Sequence, residues 1–383
     1  MTSIGILMMV TGLYGTTQWA YTWAGILSAT NGLAWAFGNW VLSQLVDRRG
    51  QARVMIPALL VANASLIWLI AAGWAHSPVW LLLFPAGLSG LAGGSPGALV
   101  RARWNHALGD SPLLHTAFSL ESTLDEITYI VGPLVVAVLA TTVHPTAGLM
   151  APVILSLSGG TWFYLGLRAT EPPVRPRSGV SNQPPDRFLL KYGGMLPIVV
   201  VTALFGCAFG ALDVATVAAT KAWDLAVMSG PVLAAMSLGS AIAGLTYGTR
   251  NWQTPLPRRF LIGVTVFAAL TPLYLLAHNV PVLLVCGLLA GSAIAPSFTN
   301  ANSLVQELVP KHRLTEGLSW IGTSIGVGAS LGNSVAGWLT DRHGYEGGYW
   351  TAVISVFISF VLAVLGSRAL RRNVEQNRGT GQV

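Results

Sequence analysis

The chain has 383 residues, of which 53% are hydrophobic and only 9% are charged, and its formal net charge is +7. Charged residues make up about 25% of an average soluble domain, so this composition excludes a globular protein with a fully water-facing surface. The two cysteines lie in apolar surroundings, which excludes a disulfide framework and offers no metal-ligand spacing.

Long stretches without Asp, Glu, Lys or Arg recur along the whole chain. A membrane-spanning helix needs about 20 apolar residues, so the shorter stretches predict one helix each and the longer ones predict two. These stretches are 1–46, 54–100, 127–167, 192–212, 225–249, 260–306, 317–340 and 347–367. They predict an all-α polytopic membrane protein of twelve helices.

The basic residues predict the orientation of these helices. All of them except Lys221 and Arg342 fall in segments that we expect to be cytoplasmic, because cytoplasmic loops carry the excess of Lys and Arg. These expected loops are 47–53, 101–117, 168–191, 250–259, 307–316 and the tail from Arg368. Both termini are then cytoplasmic, and the protein is expected in the inner (plasma) membrane. The positive charge therefore predicts anionic lipid headgroups as a partner and no nucleic acid.

An internal repeat appears when the sequence is shifted against itself by 200 residues, which aligns Gly132 with Gly332 and Pro96 with Pro296. Both halves are expected to start on the cytoplasmic side, so the repeat is parallel. It predicts a six-helix bundle over 1–168, a Pro-rich linker over 169–191, a second bundle over 192–369 and a tail over 370–383. The first helix is short for a membrane span, which predicts a truncated N-terminus.

A charged turn follows the second predicted helix. Asp47 and Arg48 precede Gly50, which permits a tight turn, and Arg53 follows. This pattern resembles the signature of the major facilitator superfamily, with Ser43 in place of its first glycine. The resemblance covers essentially the whole chain and implies two six-helix bundles, with this turn as a cytoplasmic gate. The alternative is that these residues only supply the positive charge that is typical of cytoplasmic loops.

The fifth predicted helix carries Gly132 and Pro133. This pair resembles part of a motif of the drug–proton antiporters within the superfamily, and a generic proline kink is the alternative. The sequence as a whole resembles the bacterial drug-efflux branch of the superfamily, and it resembles sequences from actinobacteria.

Four carboxylates fall where lipid-facing residues would be expected. Glu121, Asp125 and Glu126 are predicted to open the fifth helix, and Asp213 stands alone in the seventh. Ionisable residues in membrane segments usually face a cavity, a partner or a proton path, so all four are candidates for proton coupling. The alternatives are a solvated helix start for Glu121, an arginine partner for the next two, and the outer interface for Asp213.

The sequence contains no nucleophile, metal or phosphate-binding motif of an enzyme, and it implies no cofactor. The first hypothesis is a monomeric, proton-coupled exporter of small amphipathic molecules that works by alternating access. An importer or uniporter of a small nutrient is the second. A membrane sensor that transports nothing is the third. Asn31 is a weaker candidate, which either lines a substrate cavity or bonds across helices. Trp35 either stacks on an aromatic substrate or serves packing.

Overall fold

The computed structural model describes residues 1–109, 111, 113–172, 194–250, 252–309 and 314–379, and these residues form helices and turns without a β-strand. The chain divides into two compact units, Met1–Asn182 and Gln183–Val383. The division falls inside the predicted linker, most of which lies outside the described residues.

Over its described residues, the first unit contains seven α-helices that form six helical segments. α4 and α5 are two parts of one interrupted segment, and α7 continues into a π-helical turn at Trp162–Gly166. The α-helices are α1 (Thr2–Leu13), α2 (Ala20–Arg49), α3 (Gln51–Trp74), α4 (Leu83–Leu91), α5 (Pro96–Leu108), α6 (Leu113–Thr142) and α7 (Ala147–Thr161).

The second unit also contains seven α-helices in six helical segments over its described residues. α10 continues into a 3₁₀ turn at Thr271–Leu276, and α11 and α12 form one interrupted segment. The α-helices are α8 (Met195–Ala222), α9 (Ser229–Gly248), α10 (Leu256–Leu270), α11 (Val280–Gly291), α12 (Ile294–Leu308), α13 (Leu314–His343) and α14 (Tyr345–Gly379).

The twelve helical segments of the described residues match the twelve predicted from sequence, although they differ in apolar character. Eight are long and apolar enough to cross a membrane. The helix α1 is apolar but short, and α6 is apolar only over Ile127–Thr142. The remaining two, α2 and α13, are 30 residues long but more polar. The chain is therefore a multi-pass membrane protein.

Two connections on the predicted cytoplasmic side are shorter than the sequence suggested. Only Gly50 separates α2 from α3, although 47–53 was expected to be a loop. Likewise, α5 extends to Leu108 and α6 begins at Leu113, so the expected loop 101–117 is mostly helix. The arginines of these segments consequently lie on helices rather than in loops. The helix α14 continues to Gly379, beyond the predicted end of the bundle.

In the second unit, α8 and α13 pack with their backbones in contact. A Cβ atom at Gly206 or Gly210 would meet carbonyl oxygens of α13, and one at Gly328 or Gly332 would meet carbonyl oxygens of α8. Small residues spaced by four allow this close approach between membrane helices. The contact fixes the position of α8, which carries Asp213.

The fourth helical segment of each unit is interrupted near its middle. In the first unit the break contains Gly94, whose φ of +60° is accessible mainly to glycine. The indole Nε1 of Trp35 donates to the carbonyl oxygen of Gly94 at 2.7 Å. In the second unit the break is at Ser292 and Ala293. Interrupted membrane helices free backbone groups that can line binding sites.

Candidate functional site

A cavity of about 590 Å³ lies within the first unit, between α2, α3, the α4–α5 segment and α7. This volume is in the range of sites for small organic molecules. Its wall is largely apolar and aromatic, and no charged residue is among the described residues that line it. Polar side chains at the wall include Asn31, Trp35, Asn63, Ser156 and Tyr164.

Most of these polar groups bond to one another across helices. Asn31 Nδ2 donates to Ser89 Oγ at 2.8 Å, and Ser156 Oγ donates to Asn63 Oδ1 at 2.7 Å. Asn31 therefore both lines the cavity and bonds between helices, the two roles that the sequence left open. The hydroxyl of Tyr164 is different, because it is buried and has no hydrogen-bond partner among the described residues.

Arg103, in the second half of α5, holds together three parts of the first unit. Its side chain is 5% exposed. Nε donates to Gln51 Oε1 at 2.8 Å, and Nη1 donates to the carbonyl oxygens of Phe163 and Leu167 at 3.0 and 2.8 Å and to Thr170 Oγ1 at 3.1 Å. We refer to these contacts as the Arg103 network.

The Arg103 network is completed by an aromatic ring and a helix start. Arg103 Cζ lies 3.8 Å from the centroid of the Phe163 ring, a cation–π contact. Nearby, Glu171 Oε1 accepts a hydrogen bond from the backbone N–H of Ala52 at 3.2 Å, where the positive end of the α3 dipole favours an anion. The start of α3, the end of α5 and the residues after α7 are therefore joined.

The structure separates the predicted acidic residues of α6. Asp125 is exposed and forms an ion pair with Arg101, with Oδ2 3.0 Å from Nη2. Glu121 is 7% exposed, and its Oε2 has no partner among the described residues. The side chain of Glu126 lies outside the described residues. Because α6 begins at Leu113, these residues do not open the helix as predicted, and Glu121 is not a solvated helix start.

Asp213 lies on α8 in the second unit, where it is partly exposed. Two buried tyrosines are close by, with the ring centroids of Tyr274 and Tyr349 5.4 Å apart. Asp213 and Cys286 are near enough to Tyr274 to interact with it electrostatically. The sequence did not single out these tyrosines, because they come from separate helical segments and neither belongs to a motif.

The charged turn between α2 and α3 contains the predicted gate residues. Asp47, Arg48 and Arg53 are exposed, and in the described part of the chain Asp47 forms no ion pair with Arg48 or Arg53. Gly50 has φ 90° and ψ 158°, and its N–H donates to the carbonyl oxygen of Val46 at 2.8 Å. This backbone conformation is essentially restricted to glycine.

We expect Gly50→Ala to destabilise the first unit by about 1–3 kcal/mol, because alanine must adopt that conformation with a Cβ atom. The matched control is Gly159→Ala on α7, where a Cβ atom would meet nothing within 4 Å. Thermal unfolding in detergent, followed by tryptophan fluorescence, measures both. Equal unfolding temperatures for the two variants would contradict the expected strain at Gly50.

Gly132 and Pro133 are buried inside α6. A Cβ atom at Gly132 would lie 2.9 Å from Cγ of Met1, so this glycine lets α1 approach closely. Pro133 lacks the N–H that would bond to the carbonyl group four residues earlier. The likeness of this pair to the antiporter motif stays a prediction.

Parts of the chain resemble known proteins in sequence, and nearly the whole chain does so in fold. Residues 251–382 match the Major Facilitator Superfamily. A gallate transporter from Pseudomonas putida is 30% identical over 117 residues, which are 30% of this chain and 26% of that protein. The match therefore spans about a quarter of the length of this relative.

Solved structures of transporters superpose on nearly the whole chain. A structure of the nucleoside transporter NupG has a TM-score of 0.70 at 14% identity and covers 95% of this chain and 98% of its own. The human organic anion transporter MFSD10 has a TM-score of 0.63 at 14% identity, covering 94% and 97%. The chain therefore has the major facilitator fold, with all-helical architecture and multiple membrane passes.

Proposed function

We propose that the protein is a secondary active transporter of the major facilitator superfamily that moves a small molecule across the inner membrane by alternating access. The observation that carries this proposal is the likeness in fold to solved transporters over 95% of the chain. The superfamily match in residues 251–382 supports it. We further propose that transport is proton-coupled efflux and that both termini are cytoplasmic.

Proton coupling is assigned to the carboxylates Glu121, Asp125, Glu126 and Asp213. A proton neutralises a carboxylate and so changes which conformation is favoured. Among these four, Asp213 and Glu121 are favoured as the residues that take up the proton, because Asp125 already has Arg101 as a partner. The turn with Asp47, Arg48, Gly50 and Arg53 is proposed as the cytoplasmic gate, and Gly132 and Pro133 as the site where α6 changes its packing.

The wall of the 590 Å³ cavity supports an amphipathic substrate of low charge. Aromatic side chains such as Trp35 and Phe163 offer flat apolar surfaces, and the buried hydroxyl of Tyr164 offers a hydrogen bond. No charged residue among those described lines the cavity. A molecule of this class partitions into the membrane, from which an exporter removes it.

Uptake of a small organic nutrient is the second candidate function. It is favoured by the identity with a gallate transporter over 117 residues. Gallate is an aromatic acid, so its uptake would place a carboxylate rather than a neutral amphipath at the substrate site. The same fold serves both uptake and efflux. The direction of transport depends on the concentration gradients of the substrate and of protons across the membrane.

Purified protein in proteoliposomes with an internal pH-sensitive dye tests these functions. We expect an amphipathic drug from a panel to cause proton movement under an imposed pH gradient, with empty liposomes as the control. Proton-independent flux of gallate or a nucleoside supports the second candidate. A complete absence of flux across the drug, gallate and nucleoside panel would contradict transport and favour a sensor.

A further inference from the structure

A second concave surface of the first unit has a chemistry unlike that of the cavity. It is a groove of about 460 Å³ between α2, α3 and α4. Its walls are almost wholly aliphatic and aromatic, including Phe37, Leu45, Val61 and Leu91. Several of these side chains are well exposed, with 59% for Phe37 and 42% for Val61.

Two arginines lie at one end of this groove. Arg49 is the last residue of α2, and Arg53 lies in the first turn of α3, and both line the groove. Both are exposed and have no hydrogen-bond or ion-pair partner among the described residues. No acidic residue is among the described residues that line the groove. The groove therefore combines a cationic end with an apolar body.

The groove also has the length of a lipid chain. Phe37 and Arg49 are twelve residues apart on α2, which corresponds to about 18 Å at 1.5 Å per residue. The arginines occupy helix ends, at the depth where lipid phosphates lie when α2 and α3 cross the bilayer. Leu88 and Leu91 of α4, together with Ala92 directly after it, also line the groove.

We propose that this groove is a binding site for one anionic phospholipid, with the headgroup phosphate between Arg49 and Arg53 and an acyl chain along α2. Charge complementarity identifies the headgroup, because an exposed arginine pair recognises a phosphate by charge-assisted hydrogen bonds. The apolar body identifies a lipid rather than a free phosphate, which would leave the groove unfilled. This site is separate from the cavity and requires only that the first unit lies in a bilayer.

Lipid retention tests the proposal in the intact protein. The protein is placed in nanodiscs containing phosphatidylcholine and phosphatidylglycerol, released into mild detergent, and its bound lipids are counted by native mass spectrometry. We expect retained phosphatidylglycerol in the wild type. The double variant Arg49→Gln with Arg53→Gln is expected to weaken its retention roughly 30-fold, from the contribution of each basic residue at an anionic surface.

Two further variants separate a specific site from general attraction. Arg48→Gln is the matched control, because Arg48 is also exposed at the end of α2 but does not line the groove. It is expected to retain phosphatidylglycerol like the wild type. Val61→Trp fills the apolar body and is expected to lower retention with all arginines present. Equal loss in Arg48→Gln and the double variant, or full retention in Val61→Trp, would overturn the proposal.

Discussion

Asp213→Asn is expected to reduce pH-gradient-driven transport to the level of empty liposomes, while the variant is produced and purified like the wild type. Asparagine keeps the size of the side chain but cannot take up a proton, so the favoured conformation no longer follows the pH gradient. Asp213 stands beside the buried pair Tyr274 and Tyr349 on a helix fixed by glycine contacts.

The measurement is accumulation of the substrate identified in proteoliposomes, compared with exchange of the same substrate without a pH gradient. Loss of accumulation with retained exchange distinguishes a coupling residue from a merely structural one. Asp224→Asn is the matched control, because Asp224 is exposed after α8 and its φ of 56° is well tolerated by asparagine.

Full accumulation by Asp213→Asn would rule out its proposed role. If Glu121→Gln, Asp125→Asn and Glu126→Gln also retain accumulation, the proposal of proton coupling through these four carboxylates fails.

Arg103→Gln is expected to destabilise the first unit by about 3 kcal/mol or more, because the substitution removes several charge-assisted hydrogen bonds in a buried place. The carbonyl oxygens of Phe163 and Leu167 lose their donor, and the residues after α7 lose their connection to α3 and α5. For a unit of this size we expect the unfolding temperature to fall by roughly 6–12 °C.

Arg101→Gln is the control for this effect, since Arg101 lies two residues away on the same helix and differs mainly in exposure. Its ion pair with Asp125 is between side chains that are 45% and 52% exposed, and such pairs contribute about 0–1 kcal/mol. Fluorescence-detected unfolding in one detergent compares the two variants. If both shift the unfolding temperature equally, the Arg103 network does not stabilise the unit as proposed.

The site was partly predictable because some of its residues carry information locally. Gly50 was recognisable from the charged residues around it, and its observed backbone conformation provides the physical reason for a glycine there. The carboxylates were recognisable because charge is rare in apolar helices. Their environments were not, since burial of Glu121 and the partner of Asp125 depend on how α5 packs on α6.

The sequence by itself determined that the chain is a helical, multi-pass membrane protein with twelve helical segments in its described part. This was possible because the length of an apolar block and the absence of charge within it are local properties, and a bilayer accepts few other structures. Helix ends were predicted less well, since arginines near them suggested loops where the chain is helical.

Only the tertiary structure decided which distant residues meet. Arg103 contacts residues about 50 and 60 positions away in the chain, and the groove beside Arg49 and Arg53 exists only because α2, α3 and α4 enclose it. Membrane helices pack through shape and a few polar contacts rather than through a strong periodic pattern. Sequence spacing therefore shows where a helix crosses, whereas packing decides which of its side chains face a partner, a cavity or a lipid.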